Sequence, residues 1–557
     1  MAEEAEMTRA AFVGRTNSRF TDDAEQDLPA DMPRTPFRLR LPSPRPLRII
    51  PLLLLGSLAA AACAADDAED QAALEPNPTV DYRVPINAVA AAVPEDERAW
   101  PLYRQALLRL QGTSERVKAF YDEISWTTQA TPQSDIAQFL ERHQDALKTV
   151  RKAAERQGLG FVVGYDLSPE DLELWPELSD DQTTNELGEG ALLNVGLPHL
   201  ICFRQLGRLF VLDLRQAAAH GDGPTVVADT RTLLGMAKHA REHPIAISDL
   251  VAISLAHFAG DCVLHTLQFH PEALSDRQLR SLARLFDEPD DTFRIRFVGE
   301  RLAFQDNVQR VYTDDGDGDG RLTTEGFRAL RRFVADFSDE PADDSPEAKL
   351  ADRIVDSQLV RAAASRRETI EQCDRLFDIA EAESRQPLWE WGESVVDRQL
   401  TAWSESPTDR IRYFMLLTFM PALSRPNLQT QYWLGGRDGL LVTIALHRYR
   451  RTHGTWPSSL DHLVPRYLDS VRPDRFDGKP LRYTLIDGQP VVYSLGGDRD
   501  DDGGRPAIAA ETGEAESDAA RNWIPPTELE QRVSEGDLPD GDWILWPPAI
   551  ESPPRGQ

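Results

Sequence analysis

Through most of this chain, apolar residues recur at helical intervals of three and four positions, and this spacing restricts the fold more than any other feature. Two amphipathic segments, 206–220 and 225–243, flank the turn Gly221–Pro224, in which a glycine can end one helix and a proline can begin the next. Because a short turn makes neighbouring helices antiparallel, these segments predict a helical hairpin. Segment 247–269 is apolar on nearly every side, so we expect it to be buried. The sequence therefore predicts a mainly α domain of helical hairpins over residues 81–427, for which a solenoid-like array is one form that it could take.

The pattern changes near the C-terminal end, where a small α+β domain is predicted over residues 428–548. A helical segment, 438–454, is followed by two β-branched and aromatic runs in "LRYTLIDGQPVVYSLG". The dipeptide Asp487–Gly488 between these runs favours the tight turn of a β-hairpin. The later stretch "DWILWPP" contains two tryptophans that we expect to pack onto this domain, and residues 549–557 are predicted to form a tail.

The order of motifs in this second domain resembles the C-terminal part of the major pseudopilins of type II secretion. The resemblance covers about residues 435–505 and rests on a helix followed by "YRRTHGTWPSSLDHLVPRYL", "RFDGKPLRY" and "PVVYSLGGDRDDDGG". In that family the acidic loop holds a calcium ion, so the resemblance implies that Asp498, Asp500 and Asp502 lie near a metal. The sequence shows neither the prepilin cleavage site nor the long apolar first helix of that family, so we do not expect a pilus subunit.

The N-terminal part is typical of an export signal. A basic segment precedes the apolar run 49–62, whose last residues are small and lead to Cys63. This run is shorter than the about 20 residues of a membrane-spanning helix, so a cleaved signal is favoured, and an uncleaved single-helix anchor stays as the alternative. The small residues before Cys63 resemble the lipobox of bacterial lipoproteins, which implies that Cys63 is lipidated and begins the mature chain. Residues 64–80 are predicted to be a tether.

Residues 1–63 are accordingly predicted to comprise an N-terminal extension and the export signal. Residues 1–31 are acidic and polar, unlike a signal peptide, so we expect translation to begin at Met32. With either kind of anchor the rest of the chain is expected outside the cytoplasm, in the cell envelope, with the membrane as a partner. The whole chain also resembles a family of large exported bacterial proteins, for example at "PEDERAWPLYRQAL" (94–107), and that resemblance implies an architecture but no activity.

The charge balance excludes one class of partner. The chain has 61 basic and 92 acidic side chains, which gives a formal net charge of -31. Such a charge repels the phosphates of nucleic acids, so no nucleic-acid partner is expected. An acidic surface suits simple solvation or divalent cations, and the sequence does not identify a protein partner.

The stretch "DDGDGDGRLTTEGF" (314–327) has the early ligand spacing of an EF-hand calcium loop. With the loop placed at 315–326, Gly320 falls at the sharp sixth position. Positions one, three, five, seven and nine are Asp315, Asp317, Asp319, Arg321 (through its carbonyl) and Thr323. All of these residue types fit a calcium loop.

The last position of this loop does not fit. The twelfth residue should be a glutamate that supplies two oxygens, but it is Gly326, and Glu325 stands one residue early. No paired second hand lies beside the loop, so a calcium sensor is not expected. We expect either a weak structural calcium site or a plain turn between packed helices, in which Thr323 or Thr324 caps the second helix. Tight calcium binding by a Gly326→Glu variant would favour the first interpretation.

A second acidic loop repeats the same pattern after a predicted strand. It runs through Asp498, Asp500 and Asp502 to Gly503, and again the closing acid is missing, because Ala509 stands there. These two loops make calcium the one cofactor that the sequence predicts.

A zinc site is the alternative. His239, Glu242 and His243 match the H-x-x-E-H pattern of inverted zinc peptidases, in which the histidines hold zinc and the glutamate acts as the base. Pro244 follows directly, so His243 should lie at a helix end, and no third ligand is evident. Surface histidines are therefore the preferred interpretation.

The sequence as a whole favours an exported, lipid-anchored, non-enzymatic envelope protein that acts in protein binding or scaffolding. An extracytoplasmic zinc-dependent hydrolase that uses the H-x-x-E-H residues is the alternative. The cysteines Cys202, Cys262 and Cys373 lie in apolar helical contexts and are predicted to be buried free thiols, with a Cys202–Cys262 disulfide as the other option.

Overall fold

The computed structural model describes residues 75–124, 134–178, 187–314, 316, 318–335, 359–420, 424–507, 523, 529 and 541–548. The export signal with Cys63, most of the tether and the tail at 549–557 lie outside the described residues, as do Asp315 and Asp317. The predictions made for them stay predictions.

Helices dominate the described residues, so the predicted mainly α fold class is confirmed. The first ten helices are α1 (Arg83–Ile86), α2 (Ala88–Ala92), α3 (Trp100–Arg109), α4 (Ser114–Asp122), α5 (Ser134–Arg142), α6 (Gln144–Ala154), α7 (Pro169–Leu172), α8 (Pro198–Ala219), α9 (Gly223–Ala240) and α10 (Ala246–Phe269). They are followed by α11 (Asp276–Phe286), α12 (Val298–Val311), α13 (Thr324–Ala335), α14 (Arg366–Ser384), α15 (Val395–Glu405), α16 (Pro407–Arg412), α17 (Phe414–Phe419) and α18 (Ser424–His453). The described strands are β1 (Arg482–Ile486), β2 (Gln489–Ser494) and β3 (Trp543–Trp546), which form one sheet in that order.

Helices α8 and α9 form the predicted helical hairpin. Gly221 adopts a φ of 72°, a left-handed conformation that glycine tolerates, just after α8 ends. Asp222 then caps α9, because its Oδ1 accepts a hydrogen bond from the N–H of Thr225 at 3.2 Å. The turn chemistry therefore acts as the sequence predicts.

Helix α10 lies at the centre of the core. It contacts α8, α9 and α18. A solenoid would place each helical pair only against its neighbours, so the contact with the distant α18 excludes a simple solenoid-like array. By length and composition alone, α10 and the segment Leu192–Ala219 could cross a membrane, but 61% of the apolar window of each is buried inside the protein.

The predicted β-hairpin is present at the C-terminal end. Strands β1 and β2 are antiparallel, with Tyr483 opposite Val492. Asp487 and Gly488 adopt φ values of 51° and 74°, the two positive values that a type I′ turn requires. The stretch "DWILWPP" contributes β3, which pairs antiparallel with β2 and buries both of its tryptophans, as predicted. The pairing of this stretch as a third strand was not predicted, because four residues are too few to show a period.

Helix α18 joins the two predicted domains. It packs against α10 and also against β2 and β3, and the predicted boundary at residue 428 lies near its start. The absence of a side chain at Gly439 lets β3 approach closely, since a Cβ there would lie 2.6 Å from the Cβ of Leu545. Buried apolar residues from Ile86 to Trp546 consequently form one continuous core.

A buried ionic cluster holds this junction. Asp438 has no exposed surface and accepts hydrogen bonds from Arg437 Nη2 at 2.8 Å and Arg475 Nε at 3.0 Å. The same two guanidinium groups reach Asp290, at 2.7 and 2.8 Å. Each buried charge therefore has a partner of opposite sign, which burial requires.

The cysteines are buried and reduced, as the sequence predicts. Cys202, Cys262 and Cys373 are free and buried, so the predicted thiols are confirmed and the alternative disulfide does not form. Burial raises the pKa of Cys202 to about 12, which keeps this thiol protonated and unreactive.

Candidate metal centre

The first acidic loop, residues 314–326, is closed at its base by backbone hydrogen bonds. The N–H of Thr313 donates to the carbonyl of Arg321 at 2.9 Å. At the same distance the N–H of Thr323 donates to the carbonyl of Val311. These bonds place the ends of α12 and α13 side by side, which is the arrangement of a turn between packed helices.

The described residues that were predicted as ligands in this loop have other contacts or face solvent. The Arg321 carbonyl accepts the bond from Thr313, and Asp319 is exposed. The hydroxyl of Thr323 donates to the carbonyl of Val311 at 3.1 Å and accepts the N–H of Gly326 at 3.0 Å. Thr323 therefore caps α13, as the turn interpretation predicts.

Arginines at the start of α14 lie against the first acidic loop. Arg366 Nη1 is 2.5 Å from Asp314 Oδ2, and this ion pair lowers the pKa of Asp314. The N–H groups of Arg366 and Arg367 donate to the carbonyls of Gly320 and Gly318, at 2.9 and 3.0 Å. Because a positive side chain already offsets part of the loop's negative charge, a cation would gain less free energy here than at an uncompensated site.

The closing position of this loop has no room for a side chain. A Cβ at Gly326 would lie 2.6 Å from the Cβ and 2.7 Å from the Cα of Val311. These atoms belong to the backbone of α12 or adjoin it, so they cannot rotate away. The Gly326→Glu substitution would therefore separate α12 from α13 rather than complete a calcium site.

The second acidic loop, residues 498–505, brings its predicted ligands together. One carboxylate oxygen of each of Asp498, Asp500 and Asp502 lies within 4.8 Å of the other two. Left-handed φ values at Arg499 (64°) and Gly503 (73°) curl the backbone around this point. Within the part of the chain that the structure describes, this is the one convergent group of three metal-ligating side chains.

Three carboxylate oxygens at this loop are buried and accept no hydrogen bond from the described residues. They are Oδ1 of Asp498, Oδ2 of Asp502 and Oδ1 of Asp542. The partner oxygens are occupied, since Gly541 N–H donates to Asp498 at 3.1 Å and Arg505 pairs with Asp502. A buried carboxylate oxygen without a partner is costly, and a cation is one partner that satisfies several such atoms together.

Asp542 is the residue at this site that sequence reasoning missed. It lies directly before β3 and is fully buried, and its Oδ2 accepts the N–H of Gly504 at 2.7 Å. Its own N–H donates to the carbonyl of Arg505 at 2.8 Å. Asp542 is not one of the three residues whose oxygens converge. It holds the backbone of the loop through these two hydrogen bonds. The available signal was an acid immediately before the tryptophan strand, but Asp537 and Asp540 stand close to it in the sequence.

Two carboxyl groups at this site have raised pKa values. Burial raises the pKa of Asp498 to about 6 and that of Asp542 to about 7. Repulsion from neighbouring aspartates, Asp502 among them, adds to both shifts. Burial and mutual repulsion therefore disfavour the ionised forms of Asp498 and Asp542, although Arg505 pairs with Asp502.

The donor chemistry at the second acidic loop selects a class of ion. All of the convergent side chains are carboxylates, which suit hard cations such as calcium and magnesium better than zinc or copper. Calcium takes about six to eight oxygens in flexible geometry, and three aspartates with backbone carbonyls and water can supply them. Magnesium demands a near-ideal octahedron, which a curled loop of side chains matches less well. The residues present therefore fit calcium.

The H-x-x-E-H residues are buried, so the preferred interpretation of surface histidines is wrong. The Nδ1 of His239 lies 2.9 Å from the hydroxyl of Tyr103, and its Nε2 lies 3.1 Å from the carbonyl of Arg156. Both ring nitrogens therefore already have protein partners. Burial lowers the pKa of His239 to about 4, so its ring is neutral at physiological pH.

The other two residues of this motif differ, because Glu242 has backbone partners, whereas neither ring nitrogen of the buried His243 has a hydrogen-bond partner among the described residues. The carboxylate of Glu242 accepts the N–H groups of Leu159 and Gly160, the latter at 2.8 Å. The His243 ring is 5.2 Å from that of His199, centroid to centroid, and burial lowers the pKa of His243 to about 4. The motif thus packs helix α9 against neighbouring segments, and its residues form no convergent group of three metal ligands in the described structure.

Comparison of the chain with models of known protein families, with curated proteins and with solved structures gives no match. The resemblances to pseudopilins and to an EF-hand loop therefore remain predictions from the sequence.

Proposed function

We propose that this protein is exported and lipid-anchored in the cell envelope, where it acts without enzymatic activity in protein binding or scaffolding. In this proposal, a calcium ion at the second acidic loop stabilises the C-terminal domain. The observation that carries the calcium part is the convergence of Asp498, Asp500 and Asp502 on one point. Export and anchoring rest on the basic and apolar sequence that leads to Cys63.

Calcium would hold together two segments that lie far apart in sequence. The second acidic loop follows β2, whereas Gly541 and Asp542 directly precede β3. Backbone N–H groups already join the two segments, from Gly541 to Asp498 and from Gly504 to Asp542. An ion that neutralises the carboxylates would remove their repulsion and hold β3 in place. Since β3 packs on α18, the same ion would stabilise the junction with the helical part.

An open sheet edge supports the binding role. β1 forms one edge of the described sheet. Leu485 and Ile486, at the tip of its hairpin, are 42% and 44% exposed. An edge strand with exposed apolar residues can pair with an extended segment of another protein, in which main-chain hydrogen bonds supply the affinity. A protein partner with such a segment is therefore the kind that this proposal assigns.

Calorimetric titration of calcium into the chelator-treated full-length protein tests the calcium part. We expect binding of one ion per chain and a rise in Tm, because a ligand at 100 times its Kd stabilises the folded state by about 2.7 kcal/mol. Asp500→Asn is the most informative variant, because Asp500 is exposed and its replacement disturbs little packing. It should weaken binding, while the matched Asp319→Asn variant in the first acidic loop should not. No binding at millimolar calcium, or equal weakening in both variants, would refute the calcium site.

The anchor has its own test. Cells that express the full-length protein are labelled with radioactive palmitate, with Cys63→Ser as the control. Incorporation that depends on Cys63 supports the anchor, and incorporation that survives the substitution contradicts it. The zinc-hydrolase alternative is not proposed, because both ring nitrogens of His239 and both carboxylate oxygens of Glu242 already have protein partners, and the motif forms no convergent group of three metal ligands among the described residues.

A further inference from the structure

The segment that follows Arg83 presents an apolar surface without charged side chains. The segment 84–94, "VPINAVAAAVP", contains no charged residue, although 27% of the chain is charged. Its buried side is formed by Ile86, Asn87, Ala90 and Val93. Its exposed positions are Val84, Pro85, Ala88, Val89, Ala91, Ala92 and Pro94. Every exposed side chain of this segment is therefore apolar, and Val84 and Val89 are 61% and 55% exposed.

A second segment extends this surface. Asn87 holds Val163 through two hydrogen bonds, since its Nδ2 donates to the Val163 carbonyl at 2.9 Å and its Oδ1 accepts the Val163 N–H at 2.8 Å. Arg83 donates to the carbonyl of Gly164 at 3.0 Å. These contacts place the two segments side by side. On either side of the buried Val163, Val162 and Tyr165 are 37% and 44% exposed.

We call the surface formed by Val84, Val89, Val162 and Tyr165 the N-terminal apolar patch. A cluster of exposed large apolar side chains is unusual on a strongly charged protein and marks a contact surface. The patch follows directly on residues 75–81, which are non-helical and largely exposed. The backbone of Val80 bonds to the Gln309 side chain, so about 16 residues link Cys63 to this fixed point, and a chain of that length reaches at most roughly 55 Å when fully extended.

The geometry points to the outer surface of the anchoring membrane as the partner of the N-terminal apolar patch. This inference rests on the proposed lipid anchor at Cys63. The anchor keeps the patch close to the bilayer, so even a weak affinity for lipid is realised at high effective concentration. The net charge of -31 repels anionic head groups from most of the surface, whereas the patch is nearly neutral, because Arg83, which lies over the Tyr165 ring, pairs with Asp81. Its valines and tyrosine would enter the boundary between head groups and acyl chains, where amphipathic surface helices lie.

A fluorescent reporter in the full-length acylated protein tests the contact. Val89→Cys is labelled with an environment-sensitive fluorophore, and labelling is selective because Cys202, Cys262 and Cys373 are buried. The protein is reconstituted into phosphatidylcholine vesicles that contain spin-labelled phosphatidylcholine. We expect at least twofold stronger quenching by the spin label than for a fluorophore on Val395→Cys, at a site that is 41% exposed on the distant helix α15.

The outcomes separate this inference from the anchor proposal. Protein mass reports whether Cys63 is acylated, and an unacylated chain would overturn both. Acylated protein with equal quenching at positions 89 and 395 overturns the membrane contact alone. A fluorophore at position 89 that is unquenched by lipid yet shielded from iodide in solution would also overturn it, because a protein segment would then cover the patch.

A charge substitution provides the second measurement. With the fluorophore on Val162→Cys, the Val84→Asp/Val89→Asp double substitution should reduce quenching by the lipid spin label at least twofold and leave acylation intact. Both valines are exposed, so the folded core is not altered. Val298→Asp, at a site that is 42% exposed, is the matched control and should leave quenching unchanged. Equal effects of the double substitution and the control would contradict the assignment.

Discussion

The carboxylate of Asp542 accepts a hydrogen bond from the backbone N–H of Gly504 at 2.7 Å, although their sequence positions differ by 38. Asp542 is fully buried, and its other oxygen accepts no hydrogen bond from the described residues. The contact therefore places an uncompensated carboxylate where β3 begins. Such a group is stable only when a proton or a cation neutralises it.

Asp542→Asn should stabilise the calcium-free protein and reduce the effect of calcium. The amide oxygen can still accept the N–H of Gly504, while the buried negative charge disappears. Because burial raises the pKa of Asp542 from 3.8 to about 7, we expect a gain of up to about 4 kcal/mol above that pH. Scanning calorimetry near pH 8, with and without calcium, measures both effects. Asp319→Asn serves as the control, and a lower Tm of calcium-free Asp542→Asn would contradict this account.

Gly326→Ala should destabilise the contact between α12 and α13. The added Cβ would lie 2.6 Å from the Cβ of Val311, so the two helices must separate, at a cost of about 1–3 kcal/mol. Gly436→Ala is the matched control, because this helical glycine of α18 has open space around it and should gain about 0.5–1 kcal/mol. Urea unfolding compares the two variants. Equal stabilities would show that Gly326 is not confined as described.

The features that the sequence predicted correctly depend on neighbouring residues. The α8–α9 hairpin follows from the turn beginning at Gly221, the β-hairpin from Asp487–Gly488, and the cap of α13 from Thr323. In each case the residue determines a turn or a helix cap that lies within a few positions of it in the sequence, through its backbone conformation or its hydrogen-bonding group. The burial of α10 was also predictable, because its apolar residues cover every side.

The features that the sequence did not reveal depend on distant segments. Asp542 reaches the second acidic loop from β3, and Arg366 reaches the first acidic loop from α14. His239 gains its partner Tyr103 from α3. The local sequence does not indicate which acidic, arginine or tyrosine side chain from a distant segment will contact a given residue. The two acidic loops therefore looked equivalent in sequence, and only their three-dimensional neighbours distinguish them.

Asp438→Ala should be strongly destabilising. The substitution would leave the buried guanidinium groups of Arg437 and Arg475 without their shared carboxylate, which typically costs about 3–5 kcal/mol. Arg398→Ala is the control, because its 3.7 Å ion pair with Glu393 is exposed and should contribute less than about 1 kcal/mol. Denaturant unfolding gives both values. A small effect at Asp438 would mean that Asp290 alone can balance the two arginines.

His239→Ala should reduce stability without changing the zinc content of the purified protein. The hydroxyl of Tyr103 and the carbonyl of Arg156 would lose their shared partner, at a cost of about 1–3 kcal/mol. His220→Ala, at an exposed helix end, should change stability by less than about 0.5 kcal/mol. Urea unfolding and elemental analysis measure the two properties. Stoichiometric zinc in the parent that is lost on substitution of His239 would restore the hydrolase alternative.

The buried carboxyl of Glu300 should make stability fall as pH rises. Its Oε1 accepts the N–H of Ala246 at 2.8 Å, and its Oε2 has no partner among the described residues. Burial raises its pKa from 4.5 to about 8, repulsion from Asp249 adds to the shift, and Arg296 offsets part of it. Below pH 4.5 the carboxyl is protonated in the folded and the unfolded chain, so it has no effect on stability.

Between pH 4.5 and about 8 the unfolded chain releases this proton while the folded protein retains it, so the free energy of unfolding falls throughout that interval. Glu300→Gln cannot ionise. The stability of the variant minus that of the parent should therefore rise by on the order of 3–5 kcal/mol up to about pH 8 and then level off. Urea unfolding of both proteins in unit steps from about pH 4 to about pH 9 measures this difference. Glu405→Gln, at an exposed position, is the control for the substitution itself. A flat difference for Glu300→Gln would show that Glu300 is ionised in the folded protein.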